Sequence, residues 1–275
     1  MTPVLAEAVF PVPSWLVGCG NMAGAMVAGW RSAGIDLSGV TAIRPSGTPV
    51  EGVRTVSELP AGAPHTLVML GFKPQKLDEV APALSLRLGE ETILVSLLAG
   101  VEAATLRARF PHVRAVVRAM PNLPVAQRLG VTALYSDDSD AKALATVEGL
   151  MTALGLAPVV PDESQLSAIG AVAGSGPAYV ARFVEALGSG GEGLGLALDL
   201  AHAIALETIV GTAAMAEAAR LPMAELARRV ASPKGTTEAG LAVLDAADGL
   251  RPLIARMLAA AIARGRELAE QARHG

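Results

Sequence analysis

Two short stretches of the chain combine glycine with groups that could hold a negatively charged ligand. The first, "GCGNMA" at 18–23, follows an apolar run and opens a stretch of good helix formers at 22–30. In a strand–turn–helix unit, Gly18 would permit the tight turn and Gly20 would let a pyrophosphate approach the backbone, while the helix N-terminus supplies free N–H groups. The alternative is an ordinary glycine turn at the end of a strand.

The second stretch, "SPKGTTEAG" at 232–240, crowds hydroxyl groups and flexible backbone before a helix that we predict to begin around Thr237. Its candidate binding residues are Ser232, Gly235, Thr236 and Thr237. Such a helix start can bind a carboxylate through backbone N–H groups, and a threonine hydroxyl can hold a neighbouring polar atom. A plain helix cap with Glu238 in the first turn is the alternative.

The residues after the second predicted strand bear on the type of dinucleotide. An acidic residue there would bind the ribose hydroxyls of NAD, but the strand ends "TAIRPSGT", with Arg44 and Ser46 in that region. A cation and a hydroxyl suit a 2′-phosphate, so this stretch favours NADP. The alternative is that Arg44 is a solvated loop cation.

Three further stretches follow predicted strands: "GFKPQ" at 71–75, "SLLAG" at 96–100 and "RAMPNLP" at 118–124. Ligands of open parallel sheets lie beyond the carboxyl ends of the strands, so we expect these stretches near one site. In the second half, "GSGPAYV" at 174–180 is typical of a helix start, with Ser175 as a possible cap and Pro177 in the first turn.

These stretches need a scaffold, and the first half of the chain alternates short apolar runs with stretches of helical spacing. The predicted strands are 15–19, 40–44, 66–71, 92–97, 113–119, 131–135 and 157–160. The predicted helices include 74–86, 102–110 and 138–154. This alternation predicts parallel βαβ units in a Rossmann-like, doubly wound α/β domain.

From 163 to 273 the sequence carries almost no strand signal and consists of Ala- and Leu-rich helical stretches. We predict breaks at 188–193, 221–222, 232–235 and 251–252. We therefore divide the chain into a loose leader at 1–13, an NAD(P)-binding domain at 14–161 and an all-α domain at 162–275. The helical domain has more apolar surface than about 110 residues can bury alone, so we predict that it pairs with a second copy.

Composition excludes several classes of protein. The net charge is −4 with both signs interspersed, so no basic stripe is present to follow a nucleic acid. The single cysteine, Cys19, excludes an internal disulfide and a CxxC metal site, and we predict no metal. No apolar run reaches the roughly 18 residues of a membrane span, and the N-terminus lacks the basic start of a secretory signal. We expect a soluble, cytoplasmic protein.

Taken in order, these stretches resemble the Δ1-pyrroline-5-carboxylate reductase family, which catalyses the last step of proline synthesis. The resemblance runs from residue 16 to about 245, and its pieces are "GCGNM", "FKPQ", "AG" at 99–100, "RAMPNLP", "TAL" at 132–134, "GSGPAYV", "LGLAL", "ALET" and "SPKGTTEAGL". One departure concerns the second glycine stretch, where members of the family commonly have Gly-Gly in place of Lys234-Gly235.

The resemblance implies an NAD(P)H-dependent reductase of a cyclic imine. The helices of its second domain would interleave with a second subunit, and such dimers often form larger rings. By similarity the cofactor would touch Val17, Gly18, Cys19, Gly20, Asn21, Met22, Ser46, Gly71, Phe72, Lys73, Pro74, Leu97, Leu98 and Ala99. To these we add Arg44 and Asn122 as cofactor contacts, because each follows a predicted strand. The substrate carboxylate would lie on 232–237, with Thr237 as the catalytic residue beside the imine nitrogen.

Imine reduction needs few catalytic side chains, because the cofactor supplies the hydride and the protein orients the nicotinamide and imine rings. None of the four histidines lies in a candidate site, which agrees with this chemistry. Three alternatives stay open: a reductase of a related cyclic imino acid, a β-hydroxyacid dehydrogenase, and a non-catalytic nucleotide-binding relative. The dehydrogenase would need a helical lysine after Gly174 that the sequence does not offer.

Overall fold

A computed structural model describes residues 9–61 and 66–274, and its first part is built on one eight-stranded sheet. The strands are β1 (Ser14–Val17), β2 (Val40–Ile43), β3 (Arg54–Val56), β4 (Leu67–Leu70), β5 (Ile93–Ser96), β6 (Ala115–Pro121), β7 (Gly130–Tyr135) and β8 (Gly155–Leu156). Their order in the sheet is β3-β2-β1-β4-β5-β6-β7-β8. The order of the strands reverses at β1 and β4, which run parallel to each other, as in a Rossmann-like sheet, so the predicted fold class is confirmed.

Helices cover both faces of this sheet. Those of the first part are α1 (Asn21–Ser32), α2 (Leu77–Ser85), α3 (Ala103–Arg109) and α4 (Ala141–Thr152), with short 3-10 turns at Pro74–Lys76 and Leu123–Gln127. Successive residues of β4 show the alternation, because Met69 packs in the core on the α1 and α4 face and Val68 in the core on the α2 and α3 face. Burial on both faces explains the unbroken apolar runs of the central strands.

The sheet departs from parallel βαβ units at one pair, since β6 and β7 run antiparallel. Only residues 122–129 connect them, and a parallel crossover needs a dozen residues or more. The chain therefore turns back directly through the 3-10 turn Leu123–Gln127.

Two strands differ from the sequence prediction. The three-residue edge strand β3 was missed, since Arg54 and Thr55 give it no apolar run. The strand predicted at 157–160 is displaced, because regular pairing occurs at β8 and only an isolated bridge joins Leu134 to Val159. Pro158 lies in that segment and has no N–H to continue a ladder.

The leader was predicted to be loose, and residues 1–8 lie outside the described residues. The prediction is wrong for the part that follows, because Phe10 is only 1% exposed. Its ring packs edge-on against Trp30 of α1, with ring centroids 4.8 Å apart. The backbone of Pro13 also accepts a hydrogen bond from Thr66 N at 3.1 Å, which ties the leader to the chain before β4.

The second part of the chain is helical, as predicted. Its elements are α5 (Ser164–Ile169), a π-helical turn (Gly170–Gly174), α6 (Gly176–Gly193), α7 (Leu198–Ala219), α8 (Met223–Val230), α9 (Thr236–Leu244) and α10 (Leu250–His274). By packing, the described residues up to 175 group with those from 262 onward, and 176–261 form a second compact unit. The domain boundary at residue 161 stays a prediction.

The break predicted at 188–193 is wrong, because α6 continues through it. Two of these glycines allow close helix packing: a Cβ at Gly188 would lie 2.7 Å from Nδ1 of His202, and one at Gly191 would lie 3.3 Å from Cβ of Ala201. Small residues let α6 and α7 approach closely, which outweighs the low helix propensity of glycine.

The helix start predicted at Ser175 is also different in detail. α6 does begin at Gly176 with Pro177 in its first turn. However, Ser175 is not in the extended conformation of a cap, because its φ of −85° and ψ of −16° are helical and it follows the π-helical turn directly.

Candidate active site

The carboxyl ends of β1, β2, β4 and β5 meet at one edge of the sheet. Val17, which ends β1, is in register with Ile43 of β2 and with Leu70 of β4. Leu70 is in turn in register with Ser96, which ends β5. The fold therefore brings together four of the predicted cofactor segments, at 17–22, 44–46, 71–74 and 97–99.

Gly18 makes the tight turn after β1 and has a φ of +78°, a conformation that residues with a side chain rarely adopt. A Cβ at this position would also lie 2.7 Å from Cβ of Phe72 and 2.8 Å from its backbone nitrogen. Gly71 approaches just as closely, because its Cβ would lie 2.4 Å from the carbonyl oxygen of Gly18. The turn after β1 and the turn after β4 therefore pack together closely, and a side chain at either glycine would push them apart.

Gly20 meets a different requirement. It is exposed, has an ordinary φ of −83°, and no described atom lies within 4 Å of where its Cβ would be. α1 begins at the next residue, and none of the described side chains caps its N-terminus. Open space beside a glycine, together with uncapped N–H groups, is the cradle that a dinucleotide pyrophosphate requires, so these residues fit the cofactor.

The loop after β2 is held in shape by its own hydrogen bonds. The backbone N–H of Arg44 donates to Val56 of β3 at 2.8 Å, and Gly47 N donates back to the Arg44 carbonyl at 2.8 Å. The Arg44 guanidinium donates to the Thr48 carbonyl at 3.1 Å, and the hydroxyls of Ser46 and Thr48 are hydrogen-bonded at 3.0 Å. Thr48, which the sequence analysis did not single out, takes part in both of these hydrogen bonds.

Arg44 also acts on the glycine turn electrostatically. Burial raises the pKa of the Cys19 thiol, and the positive charge of Arg44 opposes that rise. Arg44 directly follows Ile43, which is in register with Val17 at the start of the glycine turn. Its position there agrees with a role in binding an anionic cofactor.

Three predicted contacts have side chains that face away from the site. Val17, Cys19 and Leu98 are 5%, 3% and 2% exposed and belong to the apolar core. Only their backbone atoms are placed to meet a ligand. By contrast, Asn21, Lys73 and Ala99 are exposed at the edge of the sheet.

Asn122 is placed differently from the other predicted contacts. It follows β6, is 6% exposed, and uses both ends of its side-chain amide within the protein. Its Nδ2 donates to the Ala173 carbonyl at 2.9 Å, and its Oδ1 accepts from Val131 N at 2.8 Å. These two hydrogen bonds fix the orientation of the amide and favour a structural role, while the contact with the cofactor stays a prediction.

The second glycine stretch lies in the unit formed by 176–261 and turns sharply into α9. A Cβ at Gly235 would lie 2.4 Å from the Ser232 hydroxyl oxygen, and Gly235 N donates to the Ser232 carbonyl at 3.0 Å. Gly235 is the N-cap residue of α9, and none of the described side chains caps that end. Thr236 and Thr237 open the helix and are exposed, so their N–H groups and hydroxyls are accessible to a small ligand.

Lys234 has a φ of +60°, in the left-handed region that favours glycine. Its backbone N–H donates to the Glu238 carboxylate at 2.5 Å, which helps to hold this conformation. The geometry explains why a glycine in place of lysine, which the resemblance describes as common, suits this position.

Known proteins are similar to this chain over nearly its whole length. A pyrroline-5-carboxylate reductase of Pseudomonas aeruginosa is 38% identical over 263 residues, which cover 93% of this chain and 96% of the relative. The chain belongs to the pyrroline-5-carboxylate reductase family. A reductase of Synechocystis is 37% identical over 206 residues, covering 74% of this chain and 76% of that protein. The predicted family is therefore confirmed, and the β-hydroxyacid dehydrogenase alternative loses its support.

Two further comparisons agree with the family. The model of pyrroline-5-carboxylate reductase dimerisation matches residues 163–268. The structure of a pyrroline-5-carboxylate reductase from Coxiella burnetii has a TM-score of 0.84 at 33% identity, over 94% of this chain and 99% of that one. The NADP-bound pyrroline carboxylate reductase of Plasmodium falciparum has a TM-score of 0.81 at 23% identity, over 94% and 98%, and shares the fold.

The dimerisation match bears on one helix in particular. α7 is long and apolar enough to cross a membrane by length and composition, and 11% of its most apolar window is buried inside the chain. It also lies within the residues that match the family's dimerisation domain. A surface buried between subunits explains such a helix without a membrane.

Proposed function

We propose that this chain reduces the C=N bond of 1-pyrroline-5-carboxylate to give L-proline, with NADPH in preference to NADH. As a member of its family the chain is an NAD(P)H-dependent oxidoreductase. The observation that carries the proposal is the glycine turn at 18–20, whose open side and uncapped helix fit a dinucleotide. When bound, that cofactor supplies the hydride.

The preference for NADPH rests on the loop after β2. Arg44, Ser46 and Thr48 present a guanidinium and two hydroxyls at the strand end where an NAD-binding domain has an acidic residue. All three groups can donate hydrogen bonds to a phosphate, and the guanidinium adds an opposite charge. A ribose without the 2′-phosphate would leave these donors without their partner.

The substrate has two polar handles, a carboxylate and a ring nitrogen. We assign the carboxylate to the backbone N–H groups at the start of α9, with Ser232, Gly235 and Thr236 shaping the turn. We assign the ring nitrogen to Thr237, whose hydroxyl oxygen accepts a hydrogen bond from the N–H of the protonated ring. Holding the carboxylate and the ring nitrogen fixes the imine carbon at roughly 3–3.5 Å from the nicotinamide carbon that donates the hydride.

The functional unit that we propose is a homodimer formed through the helices of the second half. The family's dimerisation model covers these helices, and several of their large apolar residues, among them Leu198, Leu200 and Val210, are more than half exposed in the single chain. Assembly of dimers into a larger ring, a soluble cytoplasmic location, and the lack of nucleic-acid or membrane partners are parts of the same proposal.

A direct assay tests the reaction. The purified protein is incubated with NADPH and 1-pyrroline-5-carboxylate, and loss of NADPH absorbance and formation of L-proline are followed. The six-membered homologue of the substrate serves as a comparison for ring size. Tight binding of NADPH without turnover of either imine would contradict the proposal and support a non-catalytic relative. Light scattering that shows an active monomer at micromolar concentration would contradict the dimer.

A further inference from the structure

Asn122 forms hydrogen bonds with all of its backbone and side-chain polar groups. Its backbone N–H donates to the Val131 carbonyl at 3.1 Å, and its carbonyl accepts from Val125 N at 3.2 Å. The side chain adds the bonds to Val131 N and to the Ala173 carbonyl. In the β6–β7 ladder, the amide oxygen of Asn122 thus takes the place of a backbone acceptor where the two strands separate.

The bond to Ala173 reaches the π-helical turn Gly170–Gly174. In a regular α-helix the Ala173 carbonyl would accept a hydrogen bond from the N–H of residue 177, but that residue is Pro177 and has no N–H. The turn is wider than an α-helix, as the hydrogen bond from Ser175 N to the Gly170 carbonyl at 3.1 Å shows. Asn122 therefore supplies a donor to a carbonyl that the proline deprives of its usual partner.

This contact joins two stretches that the sequence analysis singled out separately, "RAMPNLP" and "GSGPAYV". The chain passes from the sheet-containing unit to the unit 176–261 directly after the turn that Asn122 holds. The four hydrogen bonds of Asn122 go to backbone atoms of Val125, Val131 and Ala173, none of which belongs to the predicted cofactor segments. Asn122 is therefore bonded to the turn that precedes α6 rather than to the residues predicted to bind the cofactor.

We infer that Asn122 is a positioning residue for imine reduction, which acts by fixing the π-helical turn at the junction through its bond to the Ala173 carbonyl. The inference rests on the proposed function for its kinetic part, because the predicted substrate residues follow this turn along the chain. It replaces the contact with the cofactor predicted for Asn122. The two hydrogen bonds of the amide fix its orientation, and turning it toward a cofactor would break them.

Asn122→Asp tests the bond with little change in shape. An aspartate keeps an oxygen for Val131 N but turns a carboxylate oxygen, which cannot donate, toward the Ala173 carbonyl. We expect kcat to fall about tenfold or more and the melting temperature to fall by about 3–6 °C, while the dissociation constant of NADPH stays within about twofold. Gln127→Glu, the same chemical change at an exposed residue of the same connection, is the matched control and leaves all three unchanged.

The second variant, Pro177→Ala, restores an N–H four residues after Ala173. Combined with Asn122→Asp, it is expected to recover at least half of the lost kcat and melting temperature, whereas alone it leaves kcat close to the unmodified enzyme. Independent effects of the two substitutions on the melting temperature would overturn the inference, because residues that share a partner do not act additively. A more than tenfold loss of NADPH affinity in Asn122→Asp would also overturn it and restore the cofactor contact.

The melting temperatures and NADPH binding separate this inference from the proposed function. A protein that does not reduce 1-pyrroline-5-carboxylate would refute the proposed function, yet the paired variants would still show whether Asn122 and Pro177 act on the same carbonyl. Normal turnover with independent effects on stability would refute only the role of Asn122.

Discussion

Two turns in this chain lead from glycine into a helix whose N-terminus none of the described side chains caps, yet they are built in different ways. The turn at 18–20 lies against other backbone, with Gly18 within 3 Å of Phe72 at the position of a Cβ. The turn at 232–235 is exposed and is held by bonds within itself and to Glu238. The first turn is fixed by the whole sheet, whereas the second depends on a few local bonds. We therefore expect substitution of Gly18 to affect folding and substitution of Thr237 to affect mainly the substrate.

Gly18→Ala should have the largest effect. An alanine at a φ of +78° costs about 1–2 kcal/mol, and the clash with the Phe72 backbone adds about 1–3 kcal/mol. We expect the melting temperature to fall by roughly 5–15 °C, measured by calorimetry, together with loss of NADPH binding. Gly20→Ala is the matched control: its Cβ meets open space, so the fold persists while NADPH affinity falls about tenfold or more. Equal stability losses in both variants would contradict the account of the turn.

Thr237→Val tests the exposed turn. Valine keeps the shape of threonine and removes the hydroxyl, so the value of kcat/KM for the imine should fall by about 10–100-fold, while NADPH affinity and melting temperature stay close to those of the unmodified enzyme. Thr237→Ser keeps the hydroxyl and should retain much of the activity. If the valine variant turned over the imine at the original rate, this stretch would be only a helix start.

Arg44→Ala examines the loop beside the first turn. Removal of the guanidinium should raise the KM for NADPH about tenfold and leave the KM for NADH within about twofold, since only NADPH carries the 2′-phosphate. Steady-state kinetics with both cofactors measures the difference. Arg54→Ala, at an exposed position on the adjacent strand β3, is the control for a general loss of positive charge. Equal changes for the two cofactors would show that Arg44 is a solvated cation.

Lys234→Gly should have the smallest effect and the opposite sign. Glycine removes the strain of a φ of +60°, so we expect a gain of about 0.5–1 kcal/mol in the free energy of unfolding, with unchanged kcat/KM. Chemical denaturation and steady-state assays of the same preparation measure both quantities. A clear loss of activity would instead show that the ammonium group of Lys234 helps to hold the substrate carboxylate.

The sequence predicted best what is encoded within a few neighbouring residues. Apolar runs located most of the strands, and the glycine pattern at 18–23 located the turn that the sheet edge requires. β3 was missed because its three residues pair only where β2 offers an edge. The glycines at 188–193 were misread because their reason lies on α7, at His202 and Ala201. The π-helical turn carries no local signature either, since Asn122 acts on it from 51 residues away.

The exposed apolar residues of α7 have a consequence for the stability of the single chain. In a single chain that has not yet associated with a second copy, large apolar side chains of α7 are exposed to water. For the proposed dimer, the stability of the helical half depends on association, so we expect the melting temperature to rise with protein concentration. For the proposed dimer, we therefore expect dilution to lower the activity, because it favours single chains.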